Sequence, residues 1–519
     1  MPCNNIRSCH NAVLKLDEIR PLPQSIIRRV AAFALDQATK TIKRPSRLFF
    51  VALSFCPRFA RLVLPMLPDR WIKTPSGKAS CIDTGYHLFQ RDRPTEAWQW
   101  FERALRVGRP TTDDNLLGAI CLYHGLGRFR DAMSLLSRAN ERNIADMERL
   151  NLVNKRFRVL DGFWARHIGD TAILDYVIKL GILEGRGRDE TILYLPPGSP
   201  IANRFLLQQI AVHLRLVEDP ADFPFDVSAM PALRYDPMAP RMPDGTAVYI
   251  WEIAGKTYKR WQQEGRGPLL SLPSETKARS WEALHRAGVP PGAWFVAMHV
   301  REGKWYGRNE GPRAILNADI TTYLPTIAEI TRRGGWVLRM GDAGMRPLPA
   351  LPNVIDYCHS ELCADWMDVF IASQCRFMLG TSSGPAYIPP LYGVPSVLTN
   401  WWPPAQRPWH ASDIFIPKLI RMSDGRYLTL SETLAEPFSY CHSRRYLADH
   451  EGVQVEDNDP EMIRAAVEEM LARLDGNVND STEVSDLRLR ADQIYVAHGA
   501  PGMSQLARAF LQRHKGMIA

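Results

Sequence analysis

With 519 residues, 45% of them hydrophobic and 23% charged, the chain has room for roughly three globular domains and is unlike a disordered or fibrous protein. A net charge of +8 and a pI near 9.0 lean basic, yet no nucleic-acid motif and no basic–aromatic alternation follows, which weighs against a nucleic-acid binder. The nine cysteines are odd in number and scattered, a pattern of free thiols in a reducing compartment.

In chain order, residues 1–75 form a basic, apolar N-terminal segment, with Arg28, Arg29, Lys40, Lys43, Arg44, Arg47, Arg58 and Arg61 carrying much of the charge excess. Its start lacks the apolar run of a cleavable signal peptide, so a cytoplasmic location is expected. Residues 48–67 approach membrane length, but Arg58 and Arg61 near the middle, with Pro57 and Pro65, disfavour a spanning helix. Two readings stay open. Residues 40–70 touch the cytoplasmic face of a membrane through Phe49, Phe50, Phe55 and Phe59, or they form an apolar helix packed on the next domain.

Residues 76–150 read as helical, with an internal repeat. The string at 96–105, EAWQWFERAL, aligns with DAMSLLSRAN at 131–140, so that Ala97 falls on Ala132, Phe101 on Leu136 and Ala104 on Ala139. The spacing resembles tetratricopeptide repeats, although two units are too few for a free-standing solenoid. An ordinary array of helical hairpins explains the same pattern, and no protein partner is identified.

From about residue 157 strands alternate with helices, which implies parallel sheets with right-handed crossovers. A first Rossmann-like domain is expected over 151–290, with strands at 157–164 and 191–195 and helices at 171–183 and 201–214. A second spans 291–475. Its strands fall at 294–300, 336–340, 354–357, 376–379 and 396–399, and its helices at 320–333, 364–373 and 459–474. Residues 476–519 read as a helical tail. The fold class is thus α/β, two Rossmann-like domains behind a helical region, with a cleft facing the carboxyl ends of both sheets.

The stretch 376–400, RFMLGTSSGPAYIPPLYGVPSVLTN, carries the strongest local signal. Gly380, Thr381, Ser382, Ser383 and Gly384 place no bulky side chain between a strand end and a helix start. Backbone N–H groups there can approach an anion, such as a phosphate. A plain turn capped by Ser383, with Pro385 in the first helical turn, explains the same residues. At the end of the 294–300 strand, His299 and Arg301 reach the same sheet edge, followed by Gly303. An Arg there grips a diphosphate, or pairs with a neighbour such as Glu302. The loop 304–317 holds Tyr306, Arg308, Asn309, Glu310, Arg313 and Asn317, a functional composition. Gly341 and Asp342 follow the next strand and fit either a nucleotide contact or a turn.

Across the cleft, His167 and Asp170 occupy the equivalent loop of the first domain and are the candidate catalytic bases for an incoming hydroxyl, Asp170 having a helix cap as its alternative. Asp319 reads as a helix cap. Asp457-Asn458-Asp459 matches an Asp-x-Asp metal pattern, but its place before a helix favours capping. Cys358, His359 and Cys363 lack a second pair at zinc spacing, so no metal site is expected. Trp401 and Trp402 either stack on a ligand or pack beneath the loop.

The strings HVREGKWYGRNEGPR (299–313) with NADI (317–320), LRMGD (338–342), LGTSSGPAYIP (379–389), GVPSVLTNW (393–401) and IFIPK (414–418) resemble a bacterial family of glycosyltransferases with the GT-B fold. The likeness covers roughly 155–475. His299-x-Arg301 is also similar to the His-x-Arg motif of GDP-fucose-dependent fucosyltransferases, in which the Arg holds the donor diphosphate. Lys304 departs from that pattern, standing where an acidic residue belongs. The resemblance implies transfer of a hexosyl or deoxyhexosyl group from a nucleotide-sugar to a hydroxyl of a surface glycan or its lipid-linked precursor. No cofactor beyond that donor is expected, since an Arg with a helix N-terminus can hold the diphosphate without a metal. A nucleotide-sugar epimerase of the same fold and a non-catalytic repeat-bearing adaptor are the alternatives.

Overall fold

A computed structural model describes residues 75–108, 116–152, 156–240, 247–303, 311–477 and 480–518. The segment expected to touch a membrane, 40–70, lies outside the described residues. Among the described residues no helix is long and apolar enough to cross a membrane. The chain divides into two compact units.

The smaller unit comprises the described residues up to Arg138 with 311–312 and 441–451. The helices Pro75–Gln90, Pro94–Val107 and Leu116–Gly125 pack around Leu88, Trp100, Phe101 and Leu122, all buried. The Pro94–Val107 helix is strongly amphipathic, and Pro94 suits its first turn because the missing N–H is unneeded there. Of the positions aligned by the repeat, Ala97, Ala132, Phe101 and Ala104 are buried, whereas Leu136 and Ala139 are only half-buried.

The larger unit holds two parallel sheets. β1 (Arg158–Leu160), β2 (Thr191–Tyr194) and β3 (Arg215–Val217) form the first, in that order. The expected strand at 157–164 is shorter, because its second half turns into the Phe163–Arg166 helix. In the region 220–290 the described residues add no strand to this sheet, only a bridge from Val159 to Arg234, and then the helices Ile250–Gln263 and Ser274–Arg286.

The second sheet has seven strands. They are β4 (Phe295–His299), β5 (Trp336–Arg339), β6 (Val354–Ile355), β7 (Met378–Gly380), β8 (Ser396–Trp401), β9 (Ile414–Pro417) and β12 (Gln505–Leu506). A separate antiparallel pair joins β10 (Leu419–Arg421) to β11 (Gln454–Glu456). The seven lie in the order β12-β9-β8-β7-β4-β5-β6, every pair parallel. β4, β7, β8 and β9 are buried at every residue, as strands covered on both faces must be, and β4, β7 and β9 accordingly read as mostly apolar runs, while β8 also buries Ser396, Thr399 and Asn400. The C-terminal segment, expected as a helical tail, holds the Thr482–Ala497 helix and also supplies β12 to the sheet edge.

The chain runs from β4 outward through β5 to β6, then returns past β4 to β7 and proceeds the other way. The order reverses between β4 and β7. At such a reversal the flanking loops diverge and open a crevice at the carboxyl ends of the strands.

Candidate active site

The two loops at that reversal are those of His299–Gly303 and Gly380–Gly384. Ladder pairing sets His299 beside Gly380, and the Thr381 N–H donates to the His299 carbonyl (3.2 Å). The Arg301 N–H donates in turn to Thr381 Oγ1 (3.0 Å), so the loops are stitched together just past the sheet.

His299 is 5% exposed, and its Nδ1 lies 2.8 Å from Ser383 Oγ. Burial first, then the charges of Arg301 and Arg339, hold its pKa down to about 3, so the imidazole stays neutral. Arg301 is 8% exposed, and its Nη1 donates to the Arg313 carbonyl (2.7 Å) and to Asn317 Oδ1 (2.8 Å). Glu302, weighed from the sequence as its partner, instead takes Arg339 Nη2 at 2.6 Å. Arg339 is wholly buried and also reaches Asp356 (3.0 Å) and the Arg346 carbonyl, tying together the loops after β4, β5 and β6.

The hydroxyls of the Gly380–Gly384 loop are spent differently from the expected phosphate cradle. Ser382 Oγ accepts the Trp402 N–H (2.7 Å), and Ser383 sits at the N-cap position but bonds His299 instead of capping. The helix after Gly384 is two 3₁₀ turns, Gly384–Tyr387 and Pro389–Tyr392. Pro385, Pro389 and Pro390 remove the N–H donors that an α-helix would need, so little dipole stands behind the loop.

On the other side, the helix expected to start at 171 begins at Ile168 and runs to Leu183. His167 therefore takes the N-cap position and Asp170 the first turn, which overturns the capping role weighed for Asp170. The two contact each other, His167 Nδ1 to Asp170 Oδ2 at 2.9 Å, with side chains 34% and 25% exposed. Gly169 lies flat against Gly384: a Cβ on Gly169 would stand 2.6 Å from the Gly384 Cα, and one on Gly384 2.9 Å from the Gly169 nitrogen. The burial that raises the Tyr387 phenol is reinforced by the nearby Asp170 charge. The structure thus brings His167 and Asp170 to the Ser383–Gly384 loop, joining the first sheet's candidates to the second's.

Gly303 is exposed in a turn. Gly341 has φ +152, and a Cβ there would meet the Met345 sulfur at 2.3 Å, so this position turns the chain away from β5. Asp342 Oδ1 takes the Gly344 N–H (2.7 Å), while its Oδ2 is buried without a hydrogen bond. Residues 304–310 lie outside the described residues.

Trp401 and Trp402 are buried and pack beneath the loop, so neither presents a face to a ligand. Asp457-Asn458-Asp459 divides its work. Asp457 pairs with Lys418 Nζ (2.7 Å), Asn458 exchanges hydrogen bonds with Asn400, and Asp459 caps the Pro460–Leu474 helix as expected. Asp319 likewise caps, accepting from the Thr321 N–H. Asp356, Cys358 and His359 cluster closely enough for a metal, yet the Asp356 carboxylate is already met by Arg339, His359 and the Leu348 N–H. Burial first, then Asp356, pushes the Cys358 thiol up to about 12, which disfavours the thiolate a metal requires. Cys363 lies outside the cluster.

Sequence reasoning passed over Lys418, whose buried Nζ donates to the Asn317 carbonyl (2.7 Å) as well as to Asp457. Asn317 is thus gripped by Lys418 through its backbone and grips Arg301 through its side chain. The only sequence signal was the IFIPK string, with a Lys straight after an apolar strand.

No known family model and no curated protein matches this chain. Among solved structures it is similar to the glycosyl transferase family 9 protein from Veillonella parvula DSM 2008, at 11% identity over 62% of this chain and 98% of that one, with a TM-score of 0.35. A likeness that loose carries no argument about fold or function.

Proposed function

We propose that this chain is a glycosyltransferase that moves a hexosyl or deoxyhexosyl group from a nucleotide-sugar to a hydroxyl, in the synthesis of a bacterial surface glycan. The observation that carries the reading is the meeting of the two edges at Gly169 and Gly384. It sets a buried cation and a neutral imidazole opposite a half-exposed His–carboxylate pair. Diphosphate recognition needs the first, and activation of a hydroxyl needs the second.

Arg301 binds the donor diphosphate and neutralises the charge that grows on it as the glycosidic bond breaks. Ser383 orients His299 beside it. The backbone of Gly380, Thr381, Ser382 and Gly384, with Gly303, shapes the wall. Asp342 Oδ2, the buried acceptor without a hydrogen bond, takes a hydroxyl of the nucleotide ribose. Asp170 holds the His167 proton on Nδ1, so that Nε2 takes the proton of the acceptor hydroxyl as its oxygen attacks the anomeric carbon. Hydroxyl proton, sugar and nucleoside diphosphate are then all accounted for. The residues ask for no cofactor beyond the donor and hold the diphosphate without a metal.

A thermal-shift screen against UDP-, GDP-, ADP- and CMP-sugars tests the binding half, because a bound donor raises the melting temperature according to its affinity. One nucleotide class should raise it, and Arg301→Ala should erase the shift. Incubation with that donor alone, followed by NMR, should show slow hydrolysis. An epimerised donor would replace transfer with epimerisation, and no shift from any donor would remove the reading.

A further inference from the structure

We propose that the cavity between the Thr482–Ala497 helix and the β9–β12 edge of the seven-stranded sheet binds a small organic anion, with a phosphate or carboxylate head and an apolar body. The cavity is about 290 Å³ and is lined by Arg407, Arg488, Tyr495 and Ser504 together with Phe415, Leu489 and Leu506. Arg407 and Ser504 precede β9 and β12, so the cavity sits toward the amino ends of these strands. Arg301 and the Gly380–Gly384 loop stand at the carboxyl ends. The two sites are therefore separate, and this inference does not rest on the proposed transfer reaction.

The polar inventory selects the charge of the ligand. Tyr495 is 1% exposed, and its hydroxyl makes no hydrogen bond. Burial holds that phenol well above its usual range, so it remains a donor. Arg488 Nε–H is likewise buried and unpartnered. Both unmet groups are donors, and leaving them unmet is costly unless something accepts from them. The two acceptors that face Arg407 are already engaged. Asp492 takes Arg407 Nη1 (2.6 Å), and Ser504 O takes Arg407 Nε and Nη2 (3.0 and 2.8 Å). Ser504 Oγ–H itself donates to the His410 carbonyl.

Charge points the same way. Arg473, Arg488 and Arg508 share two carboxylates, Glu469 and Asp480. One positive charge is in excess behind the cavity wall, while Arg407 and Asp492 balance each other. Desolvation, the leading influence on Arg488, pulls its pKa down, a burden that an incoming anion relieves. The remaining wall is apolar. Phe415 meets Tyr495 edge-on (5.9 Å), Arg407 lies 5.1 Å over the Tyr495 ring, and Leu489 stands exposed at the rim. A bare inorganic ion would leave that surface uncovered. An anion with a hydrocarbon or aromatic body covers it.

Phenyl phosphate is the probe, titrated calorimetrically into the full-length protein, with inorganic phosphate and benzyl alcohol as the separate head and body. Phenyl phosphate should bind saturably and more tightly than either part. Tyr495→Phe removes only a hydroxyl without a partner, so its melting temperature should be unchanged or higher while affinity for the probe falls about tenfold. Leu489→Glu, a substitution at the rim, should weaken binding through charge repulsion and serves if the first variant does not fold. Binding at the Arg301 edge would be shared by wild type and both variants, so only the difference belongs to this cavity. Equal affinity in all three proteins, or no saturable binding by wild type, overturns the proposal.

Discussion

The two edges that meet at Gly169 and Gly384 present the same residue type in opposite surroundings. On the seven-stranded side, His299 is buried between Arg301 and Arg339 and is held neutral. On the three-stranded side, His167 is half-exposed and touches a carboxylate. An imidazole among cations cannot carry away a proton, because its charged form is disfavoured twice, by desolvation and by like charge. An imidazole beside a carboxylate can, because the charge it gains is compensated at 2.9 Å. In the proposed reaction the contrast gives binding to one edge and proton transfer to the other, and each half of that division can be attacked separately.

The largest expected effect comes from the binding edge. Arg301→Ala removes the cation proposed to meet the donor diphosphate and should lower kcat/KM for transfer by about a thousandfold, the scale on which a charge-stabilising donor acts. Circular dichroism should stay native, since the Arg313 carbonyl and Asn317 Oδ1 that Arg301 holds are part-buried groups that water can meet. Activity within tenfold of wild type would detach Arg301 from the chemistry.

Contact between the edges is the next target. In an exposed helix, glycine to alanine is favourable by about 1 kcal/mol. At Gly169 the new methyl would sit 2.6 Å from the Gly384 Cα, a backbone atom that cannot swing aside. Gly169→Ala should therefore destabilise by about 1–3 kcal/mol in urea unfolding. Gly380→Ala is the control, because its nearest neighbour is a Leu398 methyl at an ordinary 3.6 Å and little change should follow. A neutral Gly169→Ala would mean that the edges do not meet backbone to backbone.

What the sequence made legible follows the range of the forces involved. Strands covered on both faces announce themselves as apolar runs, and the Asp319 and Asp459 caps are local, so both were readable. The helix start at Ile168 was not. Asp170 looks like a cap, yet Gly169 is drawn into the helix, where it lies against Gly384, more than two hundred positions away. Arg339 hides within an apolar strand, and only Glu302 and Asp356 on neighbouring loops explain its burial. The Lys418–Asn317 bond spans 101 positions and leaves no local trace. Hydroxyls in the Gly380–Gly384 loop are plain in the sequence. Their partners, His299 and Trp402, could come only from the sheet order.

Neutrality of His299 has a thermodynamic signature. The unfolded chain takes up a proton on this imidazole below about pH 6.5, while the folded chain does not until about pH 3. Between those values the unfolded state holds more protons, so stability falls as pH drops through the window and is level above it. At pH 5 the loss from this residue is about 2 kcal/mol. His124 and His410, lowered by burial to about 4 and 3, act in the same direction. His299→Gln should therefore flatten the pH dependence of urea unfolding between pH 4 and 6 by about one proton, leaving the share of the other two. An unchanged slope would show that His299 is charged in the folded protein, and the division between the edges would fail.

The smallest effect tests the other half of that division. Asp170→Asn keeps the size and hydrogen-bonding reach of the side chain but removes the charge that compensates a protonated His167. If His167 is the base, kcat should fall by about tenfold while KM for the donor holds, because the proposed donor site lies at the opposite edge. A structural role for Asp170 predicts something different: lower stability, and donor and acceptor constants shifting together. His167→Gln separates the remaining possibility. If Asp170 itself took the proton, this variant would keep kcat within about tenfold of wild type, whereas a His167 base requires a loss of about a hundredfold or more.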